Sequence, residues 1–216
     1  MTVSCNICNG TTFVPAQNNR LSRSRKPPQC GTCRSLERHR IARAVIDKLQ
    51  LRETFTHLPL LLWGEPSGIP KPWFKSVELF GIEHADAGLP ARQSNSLGLI
   101  VAANVLHRVP AHRKTLADLV RVMTADGLML LSYPNPTTRE KTEDWGRADA
   151  ARGGAYRVLG RDFEAEFAQL VPDAIVLRIE EADPVTGDAD WLYLLSKSPF
   201  WMRRAFSAEI DARILD

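Results

Sequence analysis

All four cysteines of the chain, Cys5, Cys8, Cys30 and Cys33, lie within its first 33 residues. They form two C-x-x-C pairs separated by 21 residues. A C-x-x-C knuckle turns the backbone so that both sulfurs can face one cation, and two knuckles supply the four thiolates of a closed, tetrahedral, structural zinc shell. The competing reading is two redox pairs or two disulfides. Disulfides are rare in a reducing cytosol, and nothing in the sequence marks the chain for export. Four sulfurs leave no open coordination position, so such a metal would hold the fold and do no chemistry itself. His39 is then expected to pack or hydrogen-bond, not to act as a fifth ligand.

The net charge of +3 conceals an uneven distribution. Residues 1–50 carry nine Lys/Arg against Glu37 and Asp47, a balance of +7, which leaves −4 for the remainder. A basic front end can steer an anionic partner, so residues 20–43 are a candidate contact for RNA or for a protein. The stretch from Asn18 to Pro28 has the composition of a solvated loop and carries no aromatic side chain for base stacking.

These residues need a frame. The 216 residues, 44% apolar and 25% charged, suffice for one well-cored soluble domain and a small metal module. We place the boundary between a zinc-ribbon module, residues 1–34, and an α/β domain, residues 35–216. No apolar run is long enough to span a membrane, and Met1 to Ser4 lacks the basic and apolar regions of a signal peptide, so the sequence reads as cytoplasmic. Thr11 to Val14 reads as one strand of the ribbon. Ser35 is a suitable N-cap for a linking helix over 36–50, with Ile41, Val45, Ile46 and Leu49 on its buried face. The apolar run at 58–63 reads as a strand buried on both faces, and those at 77–83, 97–106 and 128–133 read as further strands. Residues 84–96 read as loop, 110–123 as a helix, 137–160 as irregular and 161–171 as a helix. Runs at 174–179 and 191–195 are expected to form an antiparallel hairpin, followed by a helical tail from Phe200. Alternating strands and helices predict a mainly parallel sheet covered on both sides, with ligands beyond the carboxyl ends of its strands.

Two segments carry a family resemblance. Leu99 to Pro110, then Leu116 to Met123 and Asp126-Gly127, resemble the fourth strand, turn, helix and fifth strand of class I S-adenosylmethionine-dependent methyltransferases. Cys33-Arg34-Ser35-Leu36-Glu37-Arg38-His39-Arg40 resembles the end of the four-cysteine knuckle pair in a bacterial branch of that family. Glu143-Asp144, Arg157, Gly160, Asp162 and Phe163 match a further motif of the branch. The resemblance implies a Rossmann-like methyltransferase sheet with an antiparallel C-terminal hairpin, and S-adenosylmethionine as cofactor. It places Gly64 and Glu65 in the turn after the first strand, Glu83 on the ribose hydroxyls, Asp86 near the adenine amine, and Asn104 and Val105 along the cofactor cleft.

The departures are specific. The first turn, Trp63 to Gly68, is poor in glycine, and only two residues separate Glu83 from Asp86, so one strand of this region is shortened away. Methyl transfer is an in-line displacement that needs alignment and, for a protonated nucleophile, a base. His107 and Tyr133 are candidates beside the acceptor, with surface and packing roles as their alternatives. The catalytic residues are not legible. Two functions therefore stand: a zinc-containing methyltransferase with an unassigned acceptor, or a degenerate, non-catalytic methyltransferase fold that binds nucleic acid or protein through its basic module.

Overall fold

Gln29 and Cys30, which open the second knuckle, lie opposite Val14 and Phe13 because two short strands pair there. In the computed structural model, which describes residues 2–64, 69–82, 85–134, 136–208 and 210–215, β1 (Phe13–Val14) runs antiparallel to β2 (Gln29–Cys30). At residues 85–87 and 168 only the backbone is described. Helix α1 (Glu37–Lys48) and a short α2 (Leu51–Phe55) follow. The N-cap of α1 is Leu36 and not Ser35. The Leu36 N–H is met by His39 Nδ1 at 3.1 Å, which gives His39 the hydrogen-bonding role expected of it. Ser35 is drawn away from capping by the cysteine sulfurs.

Next come β3 (Pro59–Gly64), β4 (Ser76–Phe80), α3 (Ala85–Ala91), β5 (Leu97–Ala103), α4 (His112–Val122) and β6 (Met123–Ser132). The chain then forms a separate antiparallel pair, β7 (Glu143–Asp149) and β8 (Ala155–Val158). A 3-10 turn over Arg161–Glu166 leads into α5 (Phe167–Leu170). β9 (Ile175–Ala182), β10 (Ala189–Ser196), α6 (Pro199–Ser207) and β11 (Ala212–Leu215) complete the order.

The central sheet has the order β11-β9-β10-β6-β5-β3-β4. β4, β3, β5 and β6 are parallel neighbours, and β10, β9 and β11 add antiparallel pairs. This is the Rossmann-like methyltransferase type of α/β sheet. Strand order reverses between β3 and β5, the switch point at which such sheets open a crevice. Alternate residues of the same strands feed two cores. Leu61, Trp63, Ile100, Leu131 and Tyr193 face Leu116, Leu119, Phe163 and Phe167. Leu60, Leu62, Val101, Leu130 and Leu194 face Val45, Ile46, Phe55 and Trp201.

Three segments differ from the sequence expectation. Residues 85–91 are helical and not loop. Gly88 and Pro90 weaken local helix propensity, but the Arg121 guanidinium donates to the carbonyls of Leu89 (2.9 Å) and Arg92 (2.9 Å) and holds this helix end from outside. Residues 143–158 form a hairpin, turned by Gly153 and Gly154 at φ of 65° and 79°. The tail is helical only to Ser207, and β11 then pairs with the outer edge of β9, Ala212 opposite Ile179. Among the described residues no strand lies between β4 and β5 in sequence, where the sequence indicated a shortened strand. No helix among them is long and apolar enough to cross a membrane.

Candidate metal centre and cleft

The two knuckles are built alike. The Asn9 N–H donates to the Cys5 carbonyl at 2.8 Å, and the Arg34 N–H donates to the Cys30 carbonyl at 2.9 Å. Asn9 and Arg34 both take left-handed φ, 62° and 60°. Each turn aims its two sulfurs inward. Cys5 Sγ lies 3.7 Å from Cys33 Sγ, Cys8 Sγ lies 3.6 Å from Cys30 Sγ, and all four sulfurs fall within 4.8 Å of one another. A tetrahedron with metal–sulfur bonds of about 2.3 Å has edges of about 3.8 Å, so the cluster fits one zinc-sized ion. Gly10 is required beside it, because a Cβ there would lie 2.7 Å from Thr32 Oγ1.

Burial pushes the Cys30 thiol up, but the amides of Cys33 and Thr32 and the neighbouring sulfurs outweigh it and bring the group to about 7. Burial and the sulfurs of Cys33, Cys30 and Cys5 push Cys8 up to about 12. Thiols this close cannot all ionise unaided, whereas a dication would stabilise all four thiolates. The Ser35 hydroxyl stands 3.4 Å from Cys5 Sγ and 3.2 Å from Cys33 Sγ.

The basic loop after the first knuckle is docked on the body. Arg20 grips Glu37 through two bonds of 2.9 Å. Arg23 donates to Thr137 Oγ1 at 2.8 Å and to the Ala189 carbonyl. The Ser24 N–H meets the Asp188 carboxylate at 3.1 and 3.2 Å, and Lys26 Nζ meets the Thr186 carbonyl at 2.9 Å. These contacts commit much of the charge that the sequence offered to a partner.

Between this loop and the carboxyl ends of β5 and β6 lies an open cleft of about 1270 Å³. Its walls include Asn104, His107, Tyr133, Arg152 and Asp190. Gly64 ends β3 at φ +100°, and a Cβ on it would lie 2.1 Å from the Ala103 carbonyl oxygen. Only glycine permits that approach of β3 to β5 at the switch point. Asn104 takes φ 55° and donates its N–H to the Ser132 carbonyl at 2.9 Å. Val105 is fully buried behind Gly64. Glu65 and Glu83 lie outside the described residues, and Asp86 contributes only its backbone, in α3. Over Ala103, Asn104 and Ser132 the first turn of α1 and Ile69 leave a cavity of about 20 Å³. That is room for about one water.

The Tyr133 hydroxyl belongs to a buried chain. It lies 2.7 Å from the Tyr193 hydroxyl, which donates to Glu164 Oε1 at 2.9 Å. Burial pushes both phenols well above their ordinary range. Asp190 is the carboxylate that sequence reading missed. Burial raises it to about 6, Glu37 and Glu180 add to the rise, and Arg23 opposes it. Its only sequence signal is an acid beside the apolar run of β10.

The Asp144 and Arg157 motif is a clamp. Arg157 is 3% exposed and donates to Asp144 Oδ2 at 2.7 Å, Val109 O at 2.5 Å and Pro110 O at 2.9 Å. It thereby ties the β7–β8 pair to the turn that carries His107 and Arg108. Asp162 accepts from the Thr142 amide at 2.8 Å and from its hydroxyl at 2.8 Å, which secures the other end of the same segment.

No family model and no curated protein match the sequence. Solved structures do show similar shapes. A methyltransferase candidate from Bacillus halodurans is 12% identical over 56% of this chain and 64% of its own, with a TM-score of 0.36. The 1,6-didemethyltoxoflavin-N1-methyltransferase of Burkholderia thailandensis, with bound 1,6-didemethyltoxoflavin and S-adenosylhomocysteine, is 12% identical over 70% and 77%, with a TM-score of 0.46. A SAM-dependent methyltransferase from Thermotoga maritima is 12% identical over 74% and 91%, with a TM-score of 0.37. The chain spans less than two thirds of the Bacillus halodurans protein. The likeness is one of general shape, and the fold class rests on the strand order and registers above.

Proposed function

We propose that the chain is a zinc-containing, S-adenosylmethionine-dependent methyltransferase, with a zinc module over residues 1–34 fastened to a catalytic body over 35–216. The observation that supports this most is the placement of the cleft. It opens at the carboxyl ends of β5 and β6, next to the switch point between β3 and β5, where doubly wound sheets bind their ligands. Cys5, Cys8, Cys30 and Cys33 hold the zinc. Gly64, Glu65, Glu83, Asp86, Asn104 and Val105 form the cofactor site, with Glu83 accepting the ribose hydroxyls.

When bound, the cofactor supplies an electrophilic methyl group. The chain's own residues align the acceptor and exclude water. The loop held by Arg23 on Thr137 and the hairpin held by Arg157 wall the acceptor side. Asp190, on that wall, receives a proton if the acceptor carries one on nitrogen or oxygen.

One observation favours the second reading, a non-catalytic scaffold that binds nucleic acid or protein through residues 20–43. Apart from the open cleft, the pocket that the first turn of α1 and Ile69 leave beside Ala103, Asn104 and Ser132 holds only about 20 Å³, too little for a nucleoside. Calorimetric titration of the zinc-loaded protein with S-adenosylmethionine and S-adenosylhomocysteine separates the two. The methyltransferase reading expects micromolar binding that Glu83→Ala weakens. No heat and no thermal stabilisation at millimolar ligand would leave the scaffold.

A further inference from the structure

The cleft collects arginines from separate parts of the chain. Arg20, Arg23 and Arg34 come from the cysteine module, Arg38 from α1, Arg108 from the turn after β5 and Arg152 from the β7–β8 turn. Three acids share the lining, Glu37, Asp188 and Asp190. Glu37 is already neutralised by Arg20, and Asp188 accepts from the Ser24 amide. Arg34 and Arg108 form no ion pair among the described residues. Arg152 has a half-exposed contact with Asp149 at 3.5 Å and lies over the Trp145 ring. The cleft therefore retains positive charge on planar donors suited to bidentate contact with phosphate.

The lining also disfavours one class of ligand, unpaired nucleic acid. Binding of unpaired nucleic acid needs aromatic faces on which bases stack. Here the Trp191 face is covered by Arg178, 4.1 Å from the ring centroid, and Tyr133 is 2% exposed and stacked on Tyr193 at 5.2 Å. Trp145, on the neighbouring hairpin, is covered by Arg152 at 3.9 Å. A volume of about 1270 Å³ suits a small molecule beside a cofactor.

We infer that this cleft binds a phosphate-bearing small molecule through Arg34, Arg108 and Arg152. The inference rests on the proposed methyltransferase reading for the ligand's role as acceptor, and on the cleft alone for its binding. Phosphate groups would bridge the module and the body, so that the ligand contacts both sides of the cleft.

The test uses the full zinc-loaded chain at low salt, with inorganic pyrophosphate as the probe. Calorimetry is expected to show binding that weakens as salt is raised, by at least about tenfold in Arg34→Gln/Arg108→Gln, and not in Arg43→Gln, whose parent side chain pairs with Asp47 outside the cleft. Arg152→Gln, on an exposed turn, gives a second reading if the double variant does not fold. S-adenosylhomocysteine is titrated in parallel. Pyrophosphate binding without nucleoside binding supports the anion site while removing the methyltransferase reading. Equal pyrophosphate affinity in wild type and all cleft variants overturns the inference. So does tighter binding of an unstructured RNA 12-mer that the same variants abolish.

Discussion

Arg40 and Asp183 stand 143 positions apart and meet in a bidentate ion pair, Nε to Oδ1 at 2.6 Å and Nη2 to Oδ2 at 2.8 Å, with both side chains fully buried. Arg40 spends its remaining donors on the carbonyls of Ser35 (3.1 Å) and Pro28 (2.8 Å), beside the second knuckle. Asp183 accepts from the amide and hydroxyl of Thr186 at the β9–β10 turn. One pair thus joins the cysteine module, α1 and the C-terminal hairpin. The final arginine of the S-L-E-R-H-R segment has a structural reason to be there.

Breaking this pair from one side leaves an uncompensated buried charge. Arg40→Met or Asp183→Leu is expected to cost about 3–5 kcal/mol, read as a shift of the urea midpoint. The double variant is expected to cost less than the sum of the singles, because neither charge is then stranded. Additive losses would mean that the two groups do not depend on each other.

Metal removal should act on the same joint. The purified chain is expected to carry one zinc per molecule, and Cys30→Ser to lose it. Chelation is expected to lower the melting temperature by at least about 5 °C, since ligands formed only in the folded state couple binding to folding. Release of the module would also free the Arg23 bond to Thr137 and open the cleft wall. A metal-free preparation that melts at the same temperature would contradict a structural zinc.

What the sequence revealed depended on how local each cause was. The cysteine spacing carries its own geometry, and the run ending at Trp63 is apolar on both faces, so the cysteine cluster and the parallel strands could be read directly. Residues 85–91 could not, because Arg121 on another helix satisfies their carbonyls against the local signal of Gly88 and Pro90. The β7–β8 pair hides in polar sequence because an ion pair to Arg157, not an apolar stripe, secures it. Strand β11 was obscured by the helical pattern before it. Asp190 and the cleft arginines are brought to one cleft only through the fold.

Two buried groups give opposing pH dependences. Burial, Arg157 and Arg113 depress His112 from 6.5 to about 4, against the pull of Asp144 and Glu166. The unfolded chain binds that proton first, so this group makes stability fall as pH drops from 6.5 toward 4, by roughly 3 kcal/mol in full. Asp190 is raised from 3.8 to about 6. The folded chain keeps that proton longer, so this group makes stability fall as pH rises through the same window. The wild type is expected to be nearly flat between about pH 4 and 6 from these two groups. Asp190→Asn should steepen the rise with pH, and His112→Gln should reverse it. Parallel profiles for all three proteins, from urea titrations at several pH values, would show that neither group is perturbed by folding.

Arg157 offers the sharpest separation of fold from function. Arg157→Met keeps much of the side chain's volume but strands the carbonyls of Val109 and Pro110 and leaves Asp144 unpaired. Asp144 is 40% exposed, so its charge can be rehydrated, and the main cost comes from the buried carbonyls, about 1–3 kcal/mol. The turn bearing His107 and Arg108 then loses its tie to the β7–β8 pair, while the cysteine cluster is untouched. Zinc content is therefore expected to stay at one per chain while pyrophosphate affinity falls. Arg157→Lys can restore one carbonyl contact and should recover part of the stability but less of the affinity, because a single ammonium cannot hold Asp144 and both carbonyls in one plane. Loss of zinc together with pyrophosphate binding would show instead that the clamp supports the whole molecule and not the cleft alone.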